Sequence, residues 1–177
     1  MKDIQSEPDY RNLPIDKVGI KNIRYPITVL DKQNSRQHTV ASINMYVDLP
    51  QEYKGTHMSR FVEILNQYRL ELSLKKISDI LAEMKTHLNA ASAHIEIAFP
   101  YFIEKKAPVS GSRSLMEYTC SFIGENNKNA SDFLVGVTVP VTTVCPCSKE
   151  ISILGAHNQR SIVEVKIRFK KFFWIED

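Results

Sequence analysis

Hydrophobic and polar residues alternate with a period of two over several stretches of this chain. Segments 18–30 and 38–49 show this pattern, and turn-forming residues separate them at 31–36. Such an arrangement predicts two antiparallel strands that form a hairpin. Pro26 lies within the first segment and indicates an edge strand or a bulge there, because proline cannot donate a ladder hydrogen bond.

Between residues 57 and 88 the spacing of apolar residues changes to three and four, which is typical of amphipathic helices. We expect a first helix from about Thr56 or His57, and a second one capped by Ser73. The apolar positions of the first helix are Met58, Phe61, Val62, Leu65 and Tyr68, and those of the second are Leu74, Ile77, Ile80, Leu81, Met84 and Leu88.

Strand-like alternation resumes in segments 93–105 and 114–125, where Cys120 falls on the apolar side. The order strand, strand, helix, helix, strand, strand predicts an α+β fold in which two helices cover one face of a four-stranded antiparallel sheet. We therefore expect an N-terminal extension at 1–17 and a first folded unit at 18–128.

Segments 133–144 and 161–174 begin the strand pattern again after a turn, so residues 129–177 are expected to start a second unit of the same kind. Val163, Val165, Ile167 and Phe169 lie on one side of the last segment. A hairpin without covering helices would leave this apolar side exposed, for aggregation or for binding to a partner.

The composition is that of an ordinary globular protein, with 177 residues, 43% hydrophobic and 24% charged. The net charge of +3 is too small to indicate nucleic-acid binding. No apolar run reaches the roughly 20 residues of a membrane span, and residues 1–12 lack the apolar core of a secretion signal. Three cysteines, of which only two are close, indicate a reducing compartment, so we expect a cytoplasmic protein.

The segment 140–160 carries the candidate chemistry, PVTTVCPCSKEISILGAHNQR. Cys145 and Cys147 are separated by one proline, and His157 follows them in the same predicted loop. Thiolate and imidazole are ligands that zinc prefers. Lys149 and Arg160 lie in this segment as well, and could bind a phosphate. The hypothesis is a divalent-metal site beside an anion-binding patch.

The spacing alone leaves other interpretations open. Cys145 and Cys147 could be two buried small hydrophobic residues or a redox pair. Two thiols and one imidazole do not complete the four-ligand pattern of structural zinc sites. If a metal binds there, so few local ligands indicate an open, catalytic site rather than a closed, structural one.

The loop sequence CPCSKEIS…GAHNQRS resembles the signature of the GTP cyclohydrolase IB family. Blocks at 6–27, 55–61 and 107–118 also resemble this family, in the same order, so the resemblance covers about 5–165. It implies the tunnelling fold, of which a second unit is only begun here. It also implies metal-dependent hydrolysis of GTP to formate and 7,8-dihydroneopterin triphosphate in tetrahydrofolate biosynthesis, by a homo-oligomer that is expected to be a tetramer.

On this resemblance, Cys145 and His157 are the metal ligands, and the divalent ion is expected to be zinc, with manganese or iron as alternatives. A water on that ion would attack C8 of guanine. Cys147 would lie close to the metal as a further catalytic residue, although simple packing remains an alternative.

Ser148, Lys149 and Arg160 are the candidates for binding the triphosphate, and solvated surface positions are the alternative for each. His57 and Arg60 lie at a predicted helix start, where free N–H groups favour anions. They are either an exposed cap or part of the substrate site, contributed by a neighbouring subunit.

The chain passes into FKKFFWIED at 169–177, and its ending FFWIED, at 172–177, does not resemble the family sequence, so we expect a chain that ends early. The acidic metal ligand and the glutamate that holds guanine in the family cannot be assigned to any residue. Two alternatives to an active cyclohydrolase therefore remain. One is a catalytically impaired remnant, and the other is a non-catalytic purine- or pterin-binding subunit.

Overall fold

A computed structural model describes residues 5, 7–68, 74–127, 130–168 and 174–177. These residues form an antiparallel sheet of six strands, arranged in chain order. The strands are β1 (Ile15–Asp31), β2 (Ser35–Leu49), β3 (Ala93–Lys106), β4 (Arg113–Asn126), β5 (Ser131–Val144) and β6 (Asn158–Ile167). The helices are α1 (Met58–Gln67), α2 (Leu74–His87) and the short α3 (Pro146–Ile151).

The α+β class is confirmed, but the expected four-stranded sheet is wrong, because β5 and β6 extend the sheet to six strands. A hydrogen bond between the two strand ends accounts for this continuity: the N–H of Asn127 donates to the carbonyl of Ala130 at 2.9 Å. The chain therefore returns directly beside β4, and pairing runs from Asn126 opposite Ser131 to Thr119 opposite Thr138. The proposed division into two units remains a prediction.

The helices α1 and α2 cover one face of the sheet, and α2 contacts both β3 and β4. Helix α2 buries the predicted stripe from Ile77 to Leu88. In α1 two expected positions are wrong: Met58 is 40% exposed and Val62 is 41% exposed. Ile64, which was not predicted, is 1% exposed. The predicted cap Ser73 lies outside the described residues. No helix within the described ranges is long and apolar enough to cross a membrane.

Alternate residues of the central strands form the core beneath these helices. Met45 of β2 and Ile97 of β3 have no exposed surface. Cys120 of β4 is buried among them, as the alternation predicted, and burial raises the pKa of its thiol to about 12. A thiol with so high a pKa is a packing group rather than a nucleophile.

Strand β1 is an edge of the sheet, which agrees with the prediction made from Pro26. Pro26 itself stays in register opposite Val40, while the pairing is irregular at 15–18 and at 20–23. Asn22, inside that irregular stretch, adopts a positive φ of 59°. The strand starts at Ile15, earlier than the expected start at residue 18.

Residues 174–177 contact the sheet next to the buried side chain of Tyr101. The hydroxyl of Tyr101 donates to Oε1 of Glu176 at 2.6 Å, and the N–H of Lys32 donates to the same oxygen at 2.7 Å. The Lys32 ammonium also pairs with Asp177. Burial, and then the Glu176 carboxylate, raise the pKa of the Tyr101 phenol, so this phenol remains a donor.

The last strand is exposed along its whole length, unlike β2 and β3. Val163, Val165 and Ile167 are 44%, 41% and 45% exposed, so the expected exposed apolar face is confirmed for these residues. Strand β6 ends at Ile167, whereas the alternation predicted a strand that continues to residue 174. Phe169, which was expected on the same face, is not among the described residues.

Candidate metal centre

The loop 145–157 joins β5 to β6, and the two strands pair as far as Val144 opposite Asn158. The backbone ladder continues one step into the loop, because the N–H of Cys145 donates to the carbonyl of His157 at 3.0 Å. Residues directly opposite each other in an antiparallel pair have their Cβ atoms about 4.5–5.5 Å apart. The hairpin thus brings together the two predicted metal ligands.

Helix α3 begins immediately after Cys145. Pro146 occupies its first turn, where the fixed φ of proline favours a helix and its missing N–H costs nothing. Cys145 is the N-cap residue, with an extended backbone, and its carbonyl accepts a hydrogen bond from the N–H of Lys149 at 3.1 Å. The sequence Cys-Pro therefore places the thiol at the positive end of a helical turn.

Ser148 links the two sides of this loop. Its hydroxyl donates to the carbonyl of Cys145 at 3.2 Å and accepts the N–H of His157 at 2.7 Å. Its place in α3 allows it to reach both backbones at once. Ser148 was predicted to bind the triphosphate, but its hydroxyl is occupied in holding Cys145 and His157 side by side.

The Cys145 thiol is half-buried and its pKa lies below the ordinary value for cysteine. The N–H of Ser148 has the largest effect, followed by the Ser148 hydroxyl, and Cys147 adds to it, whereas burial acts in the opposite direction. Cys145 makes no side-chain cap hydrogen bond to α3, so these contacts act on its thiol without a regular cap. They favour the thiolate, which is the form that binds metals.

A thiolate and an imidazole fit two of the four positions around a tetrahedral zinc ion. Across the described ranges, no cluster of three or more His, Cys, Asp and Glu side chains is arranged to hold a metal. Cys147 is exposed and lies in the first turn of α3. The chemistry of Cys145 and His157 therefore suits a divalent ion, but as a partial ligand set.

The two predicted triphosphate cations occupy different parts of the hairpin. Lys149 lies in the last turn of α3 and is exposed. Arg160 lies in β6 opposite Thr142 and is exposed too. Side chains alternate between the faces of a strand, so Arg160 projects from the face opposite His157, three positions away.

His57 and Arg60 lie at the other end of the sheet from this loop. Both residues follow β2 in the chain, and β2 ends at the same end of the sheet at which β5 begins. The loop 145–157 follows the last residue of β5 and therefore lies at the opposite end. The Arg60 guanidinium donates to the carbonyl of His87 at 2.7 Å, which holds it against the end of α2. A single chain does not bring these residues to Cys145.

A polar network on the uncovered face of the sheet was missed by the sequence analysis. Glu96 accepts a hydrogen bond from the Asn44 amide at 2.9 Å and lies 2.9 Å from Nε2 of His94. His94, and then Asn44, lower the pKa of the Glu96 carboxyl. A cavity of about 490 Å³ lies beside Tyr46 and His94. The signal was available, because His94 and Glu96 are two positions apart and so share a face.

Comparisons with known proteins agree with the resemblance of the loop. The profile described as type I GTP cyclohydrolase folE2 matches residues 1–177. The chain is 64% identical to GTP cyclohydrolase FolE2 of Syntrophus aciditrophicus, over 100% of this chain and 69% of that protein. It is 60% identical to GTP cyclohydrolase FolE2 of Pelobacter propionicus, with 100% of this chain and 68% of that protein covered.

A third relative, GTP cyclohydrolase FolE2 of Syntrophotalea carbinolica, is 62% identical over 100% of this chain and 66% of its own length. The chain thus spans about two thirds of the length of these curated relatives. The matches include residues 169–177. The expectation that the resemblance covers only 5–165, and that these last residues depart from it, is therefore corrected.

Proposed function

The chain belongs to the type I GTP cyclohydrolase FolE2 family, and from that premise we propose that it acts as a GTP cyclohydrolase of the IB type. The proposed reaction is the metal-dependent hydrolysis of GTP to formate and 7,8-dihydroneopterin triphosphate, which supplies tetrahydrofolate biosynthesis. The observation that carries the proposal is the pairing of Cys145 with His157, joined by a 3.0 Å backbone hydrogen bond.

Cys145 and His157 would hold the divalent ion, and zinc suits a thiolate and an imidazole best, with manganese or iron as alternatives. An ion bound there supplies Lewis-acid activation of water for the hydrolysis. Cys147, exposed in the first turn of α3, is the further thiol that we assign to this centre. The remaining ligands would come from solvent, from substrate or from protein groups beyond the described residues.

The chain's own residues prepare this centre before any ion binds. Ser148 bonds to the backbone of Cys145 and to that of His157, so it fixes the spacing of the two ligands. Its N–H also lowers the pKa of the Cys145 thiol. A preorganised pair of ligands loses less conformational entropy on metal binding than two independent side chains do.

For the triphosphate we propose Lys149 and Arg160. Ser148, in α3, would contribute by holding the loop that carries Lys149 in place. Both cations are exposed, so each can reach an anion in solvent. Because they project from different parts of the hairpin, we expect them to contact different phosphates rather than to form one clamp. Lys149 is the one that shares the loop with Cys145.

His57 and Arg60 lie at the far end of the sheet, so a contact with the substrate requires another subunit. We therefore propose a homo-oligomer, a tetramer by resemblance to the family, in which these residues approach the loop of a neighbouring chain. We also propose that the sheet with its two covering helices is a tunnelling fold. The three free cysteines fit a cytoplasmic location.

The test is formate release from GTP by the purified chain supplied with zinc, manganese or iron. We expect release that Cys145→Ala and His157→Ala abolish and that Cys120→Ala, a change in the core, preserves. Release that survives both ligand substitutions would contradict the proposal. GTP binding without formate release by the wild-type chain would favour a non-catalytic purine-binding subunit, and neither binding nor release would favour an impaired remnant.

A further inference from the structure

The strands β4 and β5 separate at the end of the sheet that carries the loop 145–157. Their pairing stops at Thr119 opposite Thr138. Beyond that point β4 still pairs with β3 as far as Arg113, and β5 still pairs with β6 as far as Val144. Two arms of two strands each therefore flank a gap inside the sheet, and this gap opens beside the candidate metal loop.

A proline accounts for the gap. The N–H of Asn127 donates to the carbonyl of Ala130, and in an antiparallel ladder every second pair of residues exchanges hydrogen bonds. The bonded pairs of β4 and β5 therefore run in steps of two, and the next one after the last observed pair would join Glu117 to Pro140. Pro140 has no N–H to donate. The gap is thus built into the sheet by the sequence of β5.

Alternation along the strands shows which side chains of the two arms share a face with the candidate metal ligands. Side chains alternate between the faces of a strand, and paired residues share a face. Odd-numbered residues of β5 and β6 therefore lie on the face of Cys145 and His157, which we call the ligand face. Because Cys120 lies opposite both Val137 and Phe99, this face continues with the even-numbered residues of β4 and the odd-numbered residues of β3.

Two side-chain contacts agree with this assignment. On the ligand face, Nζ of Lys105 lies 5.9 Å from the centre of the Tyr118 ring. On the opposite face, the Arg113 guanidinium donates to Glu104 at 3.0 Å. The arm formed by β3 and β4 thus carries different chemistry on its two faces.

Polar side chains cross the gap on the ligand face. Lys105 lies opposite Ser114 on one arm. Thr143 lies opposite Gln159 on the other arm. Ser114 and Thr143 are level with each other, since the register of β4 and β5 would pair them if it continued. Cys145 follows Thr143 by two residues, roughly 7 Å along the strand. The polar row consists of Lys105, Ser114, Thr143 and Gln159.

The chemistry of the polar row suits a phosphate. Its side chains are an ammonium, two hydroxyls and an amide, and each of these can donate a hydrogen bond to a phosphate oxygen. None of the four is acidic, and the carboxylates of Glu104 and Glu117 belong to the opposite face. The ring of Tyr118 favours the positive charge of Lys105 beside it.

We propose that the polar row binds phosphate groups of the substrate, with the base of the nucleotide directed towards Cys145 and His157. The inference rests on the proposed function, because it takes GTP as the substrate. The ribose separates the base of a nucleotide from its phosphates by several ångströms, so one nucleotide can span the polar row and the loop. Lys105 provides a cation on the ligand face itself, which Arg160 does not, and it adds to Lys149 of α3.

The test measures phosphate binding separately from catalysis. Inorganic triphosphate and GTP are titrated by calorimetry into the full chain, freed of metal. Lys105→Ala should raise the dissociation constant of both at least about tenfold, because a hydrogen bond between charged groups is lost. Lys105→Arg should retain most of the affinity. Lys106→Ala is the matched control: it removes the same charge on the opposite face, and should change either constant less than about threefold.

A second pair of variants tests the other arm. Thr143→Val removes the hydroxyl and keeps the shape of the side chain, so the dissociation constant of inorganic triphosphate should rise about two- to tenfold. Thr142→Val makes the same change one residue away, on the opposite face, and should leave this constant unchanged. Circular dichroism of each variant checks that it is folded.

Formate release and metal content distinguish this inference from the proposed function. In Lys105→Ala the KM for GTP should rise while kcat and bound zinc stay near the wild-type values. A wild-type chain that binds triphosphate through Lys105 but releases no formate would contradict the proposed function and support the polar row. Equal affinities of Lys105→Ala and Lys106→Ala, or no binding of millimolar triphosphate by the wild-type chain, would overturn the polar row.

Discussion

The strands β2 and β3 and the hairpin β5–β6 carry the same alternation of apolar and polar residues, but they differ in what covers them. Ile97 in β3 has no exposed surface, whereas Val165 in β6 is 41% exposed. Helix α2 lies over β3 and β4, and its contacts account for the burial there. Alternation therefore determines which face of a strand is apolar, while burial requires a second layer.

The two regions are also held together differently. The covered part is stabilised by packing among large buried side chains such as Phe61 and Phe99. The loop of the hairpin has no buried residue in α3, and hydrogen bonds from Ser148 hold Cys145 and His157. The candidate chemistry thus lies on the exposed region, where substrate and ligands can reach it.

The largest expected effect comes from removing the same side chain in the two regions. Ile97→Ala should lower the free energy of unfolding by about 2–5 kcal/mol, because it leaves a cavity in the core. Ile162→Ala, at a site that is 74% exposed, should cost less than about 1 kcal/mol. Urea unfolding at low protein concentration measures both. Similar losses would show that the hairpin is packed in solution.

A second variant tests how the end of the covered region is closed. Tyr101→Phe removes the donor to Glu176 and should cost about 1.5–3 kcal/mol, because that hydrogen bond is partly buried and its acceptor is a carboxylate. Tyr118→Phe is the matched control. Its hydroxyl donates to the sulfur of Met116, a weak acceptor, at 3.3 Å, and its loss should cost below about 1 kcal/mol. Equal costs would argue that residues 174–177 add nothing to the core.

The third variant tests whether hydrogen bonds, rather than packing, organise the exposed loop. Ser148→Ala should weaken metal binding by about 10–100-fold while leaving thermal stability nearly unchanged, since groups that orient ligands act on affinity. Competition with a chromophoric chelator measures the affinity. Ser152→Ala, which removes only the acceptor of the Gly155 N–H, serves as the control. If Ser152→Ala weakened metal binding by a similar factor, Ser148 would have no specific role in positioning the ligands.

The smallest effect concerns the polar face beneath the helix-covered sheet. Since the folded pKa of Glu96 is lowered by His94 and Asn44, its carboxylate contributes stability above its ordinary pKa of 4.5. That contribution is lost as the pH falls through the lowered value. Glu96→Gln should therefore flatten the stability profile below about pH 4.5, relative to Glu117→Gln. If stability depended on pH in the same way in the Glu96→Gln and Glu117→Gln variants, a specific role of Glu96 would be ruled out.

The long elements of this fold could be predicted because they have strong local signals, whereas the short helix α3 was expected to be part of a loop. The alternation at β2 and the helical spacing of α2 gave the right type and nearly the right bounds. The number of strands in the sheet could not be predicted in the same way, because it depends on whether β5 returns beside β4. That choice is made by the turn between Asn127 and Ala130, whose sequence is that of any polar turn.

The part of the candidate site whose residues are close in sequence could be predicted. Cys145 and His157 were identified from spacing and resemblance, and the hairpin brings their backbones together. The organising role of Ser148 was not visible, because it arises from two backbone contacts that form only once α3 exists. The distance of Arg60 from the loop could not be predicted either, since strand direction decides which end of the sheet it occupies.

The central claim is that the exposed loop binds a divalent metal through Cys145 and His157. The most direct measurement is elemental analysis of the purified chain and of two cysteine variants, after loading with zinc and removal of free ions. The account predicts that Cys145→Ala loses the bound metal, whereas Cys120→Ala, which alters only a buried packing group, retains it. Equal metal content in the two variants would contradict the proposed centre.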